Sequence, residues 1–267
     1  MDEVVPQDAR LPAPSVPMLP HPGTTPIHRG PVARLVSAMV MRDLRQAFAR
    51  VEWVGAWPEV PPERPVGMLA THHTFFDGYA GHLVARRVFG RRVLTWMQQW
   101  EPFPFFTALG ALPFPHDQTD GTTANGTAAD AARERAATLR RTVRLMQSPA
   151  WALLYFPEGV LHPADDGIAP FAAGPLLARL GRIVPPTTWL PLALHAVFED
   201  DARPVLRIAA GAPRDRIDGD ERERLADLHD ALRSRRLGPS RTLLDGAAGP
   251  ATRWDFRALA PVFRRWL

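Results

Sequence analysis

From Ala33 to Val51, Leu35, Val36, Met39, Val40, Leu44, Ala47, Phe48 and Val51 recur at helical spacing, with Arg34, Arg42, Arg45, Gln46 and Arg50 opposite them. The pattern predicts a basic amphipathic helix. Such a helix can lie on an anionic membrane surface or pack on its own domain, and the spacing leaves both open. After the Pro-rich stretch from Trp57 to Pro65 the pattern changes to short, continuously apolar runs: Val66–Ala70, Arg92–Met97, Ala111–Phe114, Trp151–Phe156, Thr188–His195 and Val205–Ala210. Runs that do not alternate read as strands buried on both faces. Helical segments fall between and after them, at Gly78–Phe89, Pro102–Leu109, Ala131–Met146, Phe171–Leu180 and Asp220–Arg235. Alternating strands and helices predict an α/β fold, a largely parallel central sheet flanked by helices. Asp117 to Asp130, rich in Gly, Thr, Asn and Ala, predicts a mobile loop.

Composition removes several chemistries. The 267 residues include no cysteine, which excludes disulfides, thiolate zinc sites and acyl-cysteine intermediates. Every one of the 32 basic residues is arginine, so mechanisms that need lysine are excluded, among them a phosphate loop ending in Gly-Lys-Ser/Thr. The net charge of +4 hints only weakly at anionic partners. No apolar run is long enough to span a membrane. Residues 1–30 open acidic and hold seven prolines, which predicts a disordered arm rather than a signal peptide. Trp254 to Leu267 mixes aromatics with Arg257, Arg264 and Arg265, as a segment docked on the domain or at an interface would.

Two turns that end apolar runs hold the reactive side chains. The first is Thr71-His72-His73-Thr74-Phe75-Phe76-Asp77. In parallel sheets, groups at the carboxyl ends of strands project into an open crevice. A neutral imidazole there can deprotonate a hydroxyl, and a carboxylate on its far nitrogen fixes the tautomer and stabilises the cation that forms. Five positions across a strand-to-helix turn let Asp77 fold back onto His72. The second turn is Tyr155-Phe156-Pro157-Glu158-Gly159, whose Pro and Gly can aim Glu158 into the same crevice; Glu158 capping the next segment fits the residues equally. His72, His73 and Asp77 have the right types for a metal, but adjacent histidines on extended backbone point to opposite faces. His82 reads as a packed or solvated helix residue, while His162 and His195 follow strand ends and could line the crevice. The chain has no Gly-x-Ser-x-Gly elbow, which argues against a serine esterase.

Together the two turns resemble the glycerophospholipid (1-acylglycerol-3-phosphate or lysophospholipid) acyltransferase family, whose pattern is Asn-His-x-x-x-x-Asp followed downstream by Phe-Pro-Glu-Gly. Here these are Thr71-His72 to Asp77 and Phe156-Pro157-Glu158-Gly159, with Glu158 following Asp77 by 81 positions. Phe105 to Gly110 with Leu112-Pro113-Phe114-Pro115 resembles the second block, and Phe171 to Gly174 with Leu190-Pro191-Leu192 the later helix and strand. The resemblance implies an O-acyltransferase that moves a fatty acyl group from acyl-CoA or acyl-carrier-protein to a hydroxyl of a lipid acceptor. His72 would be the general base, Asp77 its orienting partner, and Thr71, His116, Glu158 and Gly159 substrate-binding residues. Direct attack on a thioester needs no enzyme nucleophile, metal or cofactor, which suits a cysteine-free chain. The chain would then divide into a Pro-rich arm (1–30), an amphipathic helix (31–51), an acyltransferase core (52–213) and a C-terminal helical extension (214–267). The implied partners are the thioester donor, the lipid acceptor and a membrane surface, with the protein cytoplasmic and peripheral on the inner face of the cell membrane. Nucleic acid is not implied, since no basic patch is interleaved with aromatics.

Four positions depart from the family pattern. Thr71 stands for Asn, His116 falls near the Arg that ends the second block, Val160 and Leu161 replace Thr and Arg after Phe-Pro-Glu-Gly, and Ala172 takes a common Lys position. The lost cations are those that would grip an acceptor phosphate. An acceptor without a phosphate monoester is therefore expected, such as a glycolipid, an isoprenoid or carotenoid glycoside, or another lipid alcohol. A non-catalytic lipid-binding relative is the alternative. A different signature, His-His-x-x-x-Asp-Gly of condensation-domain acyltransferases, also matches His72 to Gly78 and would make His73 the base.

Overall fold

Strands that are apolar on both sides need helices on both faces, and the chain provides them. The computed structural model describes residues 27, 30–100, 102–115, 128–172, 174–184, 186–199 and 202–247. Its strands are β1 (Arg50–Val54), β2 (Val66–Ala70), β3 (Arg92–Met97), β4 (Ala111–Pro113), β5 (Trp151–Tyr155), β6 (Thr188–Val197), β7 (Val205–Ala210) and β8 (Ser240–Asp245), in the spatial order β4-β3-β5-β2-β6-β7-β1-β8. Five of the seven pairings are parallel; β6 with β7 and β1 with β8 are antiparallel. The helices are α1 (Gly30–Ala47), α2 (Asp77–Arg87), α3 (Ala128–Leu145), α4 (Gly174–Ile183) and α5 (Glu221–Arg233).

Alternate residues of each central strand point to opposite layers. Met68, Leu154, Leu190 and Leu192 pack with Ala80, Leu83 and Val84 of α2 and Leu44 of α1. Leu69, Leu153, Tyr155 and Trp189 pack instead with Leu177 and Leu180 of α4 and with Leu139 and Val143 of α3. Ala193 and Ala209 meet Leu228 and Leu232 of α5 on this second face. Gly81 seats α2 close against the sheet, because a Cβ there would overlap the Leu154 side chain.

Several sequence expectations change. The helix expected to reach Val51 stops at Ala47, and Arg50–Val54 is a strand. Leu35 and Met39 were expected on the apolar side, yet they are exposed, while Ala33, Val36, Ser37, Val40 and Leu44 are buried. The stripe is rotated because Ser37 is drawn inward: its Oγ contacts His82 Nε2 at 3.2 Å and accepts from Arg86 Nη1 at 2.9 Å. His82 is accordingly packed. The segment Pro104–Leu109 is a 3₁₀ turn closed by left-handed Gly110 rather than an α-helix. The expected boundary at 213 also falls away as a structural division. Trp189 and Arg214 form a bridge across it, α5 packs on the sheet, and β8 is an edge strand, so the C-terminal part is more than a helical extension. Ile27 of the arm is buried in the core. Residues 1–26, most of the expected 117–130 loop, and the Trp254–Leu267 segment lie outside the described residues.

Candidate active site

β2 and β5 are adjacent and parallel, with Leu69 opposite Tyr155, so the two turns singled out in the sequence leave the sheet side by side. Thr71 is fully buried, and its hydroxyl accepts from Leu194 N–H at 3.0 Å and donates to Leu194 C=O at 3.3 Å. It stitches the end of β2 to β6. That commitment removes it from the expected substrate-binding set.

The His72 ring stacks on Phe156 with centroids 4.1 Å apart and lines a cavity. Its Nδ1 lies 3.4 Å from Asp77 Oδ2, an orienting contact longer than a well-formed hydrogen bond. Such contacts are often loose before substrate binds. Asp77 is the first residue of α2 and is buried. Its carboxylate accepts from His73 N–H (2.6 Å), Thr74 N–H (2.8 Å) and the Thr74 hydroxyl (2.8 Å). A carboxylate beside Nδ1 that closes to hydrogen-bond distance would leave the lone pair on Nε2, the form a general base needs.

Glu158, expected to position the acceptor, is buried and occupied elsewhere. Oε1 accepts from His72 N–H at 3.1 Å; Oε2 accepts from Ala169 N–H at 2.7 Å and meets His162 Nε2. His162 N–H donates to His72 C=O at 3.3 Å. The turn after β5 thus grips the His72 backbone at both its donor and its acceptor. Glu158 holds the His72 backbone in place. His162 was noted only as a possible crevice residue; its spacing of four from Glu158 was the available signal.

His73 turns away from the cavity. Its Nδ1 contacts His162 C=O at 3.3 Å, and its ring sits 4.8 Å from His162 and 4.9 Å from His229, which in turn is 5.4 Å from His195. Burial lowers the pKa of His73 against the pull of Glu158 and Asp77. Burial first, then repulsion from His73 and His195, pushes His229 down to about 4. Among the described residues no group of histidine, aspartate or glutamate side chains is arranged to hold a metal ion.

The cavity measures about 530 Å³ and opens over the carboxyl ends of β3 and β5. Gly159, in a left-handed turn (φ +77°), contributes to its wall, and so do the exposed Val160 and Leu161. Among the described residues no arginine lines it. Arg91 and Arg92 sit at the opposite end of the sheet from His72, where Arg91 donates to the carbonyls of Pro61, Pro62 and Arg64 and Arg92 lies over the Trp151 ring. His116 lies outside the described residues.

Fold and site together define an α/β protein with a His–Asp pair at the mouth of an apolar cavity. The fold is similar to that of the 1-acyl-sn-glycerophosphate (LPA) acyltransferase PlsC of Thermotoga maritima, with a TM-score of 0.48 and 14% sequence identity over 77% of this chain and 78% of that one. No protein-family model and no curated protein matches the sequence.

Proposed function

We propose that this chain is an O-acyltransferase that moves a fatty acyl group from an acyl-CoA or acyl-carrier-protein thioester to a hydroxyl of a lipid acceptor. The observation that carries this is the His72 imidazole, backed by buried Asp77 and forming part of the wall of a mostly apolar cavity. His72 Nε2 takes the proton of the acceptor hydroxyl as its oxygen attacks the thioester carbonyl. The tetrahedral intermediate collapses with loss of thiolate, and the imidazolium returns the proton to the sulfur. Asp77 stabilises the imidazolium between these steps. The cavity wall offers apolar surface for acyl and lipid chains and, among the described residues, no guanidinium for a phosphate, which supports an acceptor lacking a phosphate monoester.

The working surface is a membrane, in the same proposal. Val32, Leu35 and Met39 stand exposed on α1 beside Arg34, Arg42 and Arg45, and Phe75, Phe105, Val160 and Leu161 are also exposed, Phe75, Val160 and Leu161 on the cavity wall. Apolar side chains among guanidinium groups suit an anionic interface. Among the described residues no helix is long and apolar enough to cross a membrane.

The test is thioester turnover by purified full-length protein with lipid alcohols as acceptors. His72→Ala should cost on the order of a hundredfold or more, the scale of general-base catalysis, and His73→Ala far less. Full activity of His72→Ala, with His73→Ala inactive, would overturn the assignment. Lipid binding without any turnover would leave a non-catalytic relative.

A further inference from the structure

The cavity wall draws on both faces of the sheet. Val93, Thr95 and Leu154 belong to the face covered by α1 and α2, where Val40, Tyr79 and Leu109 complete an apolar arm. Trp96 and Tyr155 belong to the face covered by α3 and α4, where Phe114, Gln98 and Leu176 continue the wall. The arms join where the stacked rings of His72, after β2, and Phe156, after β5, meet. A two-substrate transfer needs two such approaches to one base.

The two arms differ in chemistry. The second holds a rigid aromatic wall: Trp96 and Phe114 stack at 4.4 Å with 5° between planes, and the Trp96 indole N–H is tied to Thr142 Oγ1 at 3.0 Å. Tyr155 meets Trp96 edge-on at 5.5 Å, and its hydroxyl is buried without a hydrogen-bond partner. A buried polar atom left unpaired marks a place where a ligand can complete the bonding, and that of Tyr155 stands beside an aromatic wall, unlike the unpaired Thr95 Oγ1 of the other arm. Burial raises the Tyr155 pKa to about 12, so the hydroxyl stays a neutral donor and acceptor. Gln98 adds an amide, and no charged group from the described residues faces this arm.

We infer that the arm on the α3/α4 face is the acceptor site and that it takes an uncharged, hydroxylated head group such as the sugar of a glycolipid, bonded by the Tyr155 hydroxyl against the Trp96–Phe114 wall. Aromatic faces receive the C–H faces of sugar rings, and neutral hydroxyl and amide groups match sugar hydroxyls. The acyl chain of the thioester takes the other arm. This assignment rests on acyl transfer at His72.

The experiment offers purified full-length protein a long-chain acyl-CoA with an alkyl glucoside, with lysophosphatidic acid, or with no acceptor, and follows thiol release and the acylated product. The glucoside should be acylated with a kcat/KM at least about tenfold above that for lysophosphatidic acid. One neutral hydrogen bond made equally to substrate and transition state appears in KM, so Tyr155→Phe should raise the glucoside KM about three- to tenfold with a smaller change in kcat and none in the acyl-CoA KM. Gln98→Leu, at the cavity wall, gives a second reading of the same constant should Tyr155→Phe fold poorly. Preference for lysophosphatidic acid, or an unchanged glucoside KM in both variants, overturns the acceptor assignment while leaving acyl transfer standing. Absence of any His72-dependent thiol release, with or without acceptor, overturns acyl transfer itself.

Discussion

At the residue scale, His72 is held mostly through its backbone and ring face, and less through the carboxylate five positions away. Glu158 accepts from His72 N–H, His162 N–H donates to His72 C=O, and Phe156 covers the ring. Glu158→Gln turns one acceptor oxygen into a donor facing other donors, so kcat should fall by at least about tenfold with little change in KM, the pattern for a group that acts in the transition state. Steady-state kinetics check this; a rise in KM alone would return Glu158 to acceptor binding. The histidine cluster gives a pH effect whose sign can be worked out. His73, His195 and His229 titrate below the usual histidine value in the fold, largely through burial, His229 at about 4. Asp77, Glu158 and Asp165 oppose the shifts, while Arg207 and Arg233 reinforce that of His195. The unfolded chain therefore binds more protons just below about pH 6.5, and stability should be full above that pH and decline toward pH 4. Thermal unfolding against pH measures the decline, and His229→Phe should flatten it. The motif positions His72, Asp77 and Glu158 were legible in the sequence, but the job of Glu158 was not. Spacing says that a carboxylate reaches the crevice, and only its burial and its three partners say that it is spent on the turns around His72.

At the element scale, α2 carries Asp77 and is seated by Gly81 against Leu154. Gly81→Ala should push the helix outward, costing about 1–3 kcal/mol by overpacking, and should lower kcat by moving Asp77. Pairing it with Leu154→Ala should recover part of both, as read by chemical denaturation and kinetics. α1 answers two demands with two faces. Ala33, Val36, Val40 and Leu44 are core residues, so deleting residues 1–51 would remove part of the fold, including two residues of β1, and says nothing clean about membranes. Leu35→Asp with Met39→Asp changes only exposed positions. It should leave the melting temperature within a few degrees and weaken sedimentation with anionic liposomes; unchanged sedimentation would place the contact elsewhere. The bounds of β2, β3 and β7 were readable to the residue, because each is a mostly apolar run, broken only by Arg92 and Thr95 in β3 and Arg207 in β7. β1 and β8 were not. β1 carries Arg50 and buried Glu52, paired to each other, and β8 opens with the exposed Ser240, Arg241 and Thr242, so neither shows an uninterrupted apolar signal.

For the whole molecule, β1 and β8 extend the sheet on one side while α5 covers β6 and β7. A chain ending at Pro213 would strip that cover and leave β1 as a raw edge with half its partners, so it should be recovered aggregated, without a cooperative unfolding transition. The topology also bears on how the active centre comes into being. β2 lies between β5 and β6, both parallel to it and both much later in the sequence, and the grip on His72 belongs to the turn after β5. Nothing local can assemble the His72 site: Thr74 can hold Asp77 early, but His72 waits for a strand some eighty positions away. Closing such distant parallel contacts is slow, because loop entropy is lost before the pairing returns it. Catalytic competence should therefore be among the last properties regained after dilution from denaturant, in step with tryptophan burial at Trp151 and Trp189 and well after helical ellipticity returns.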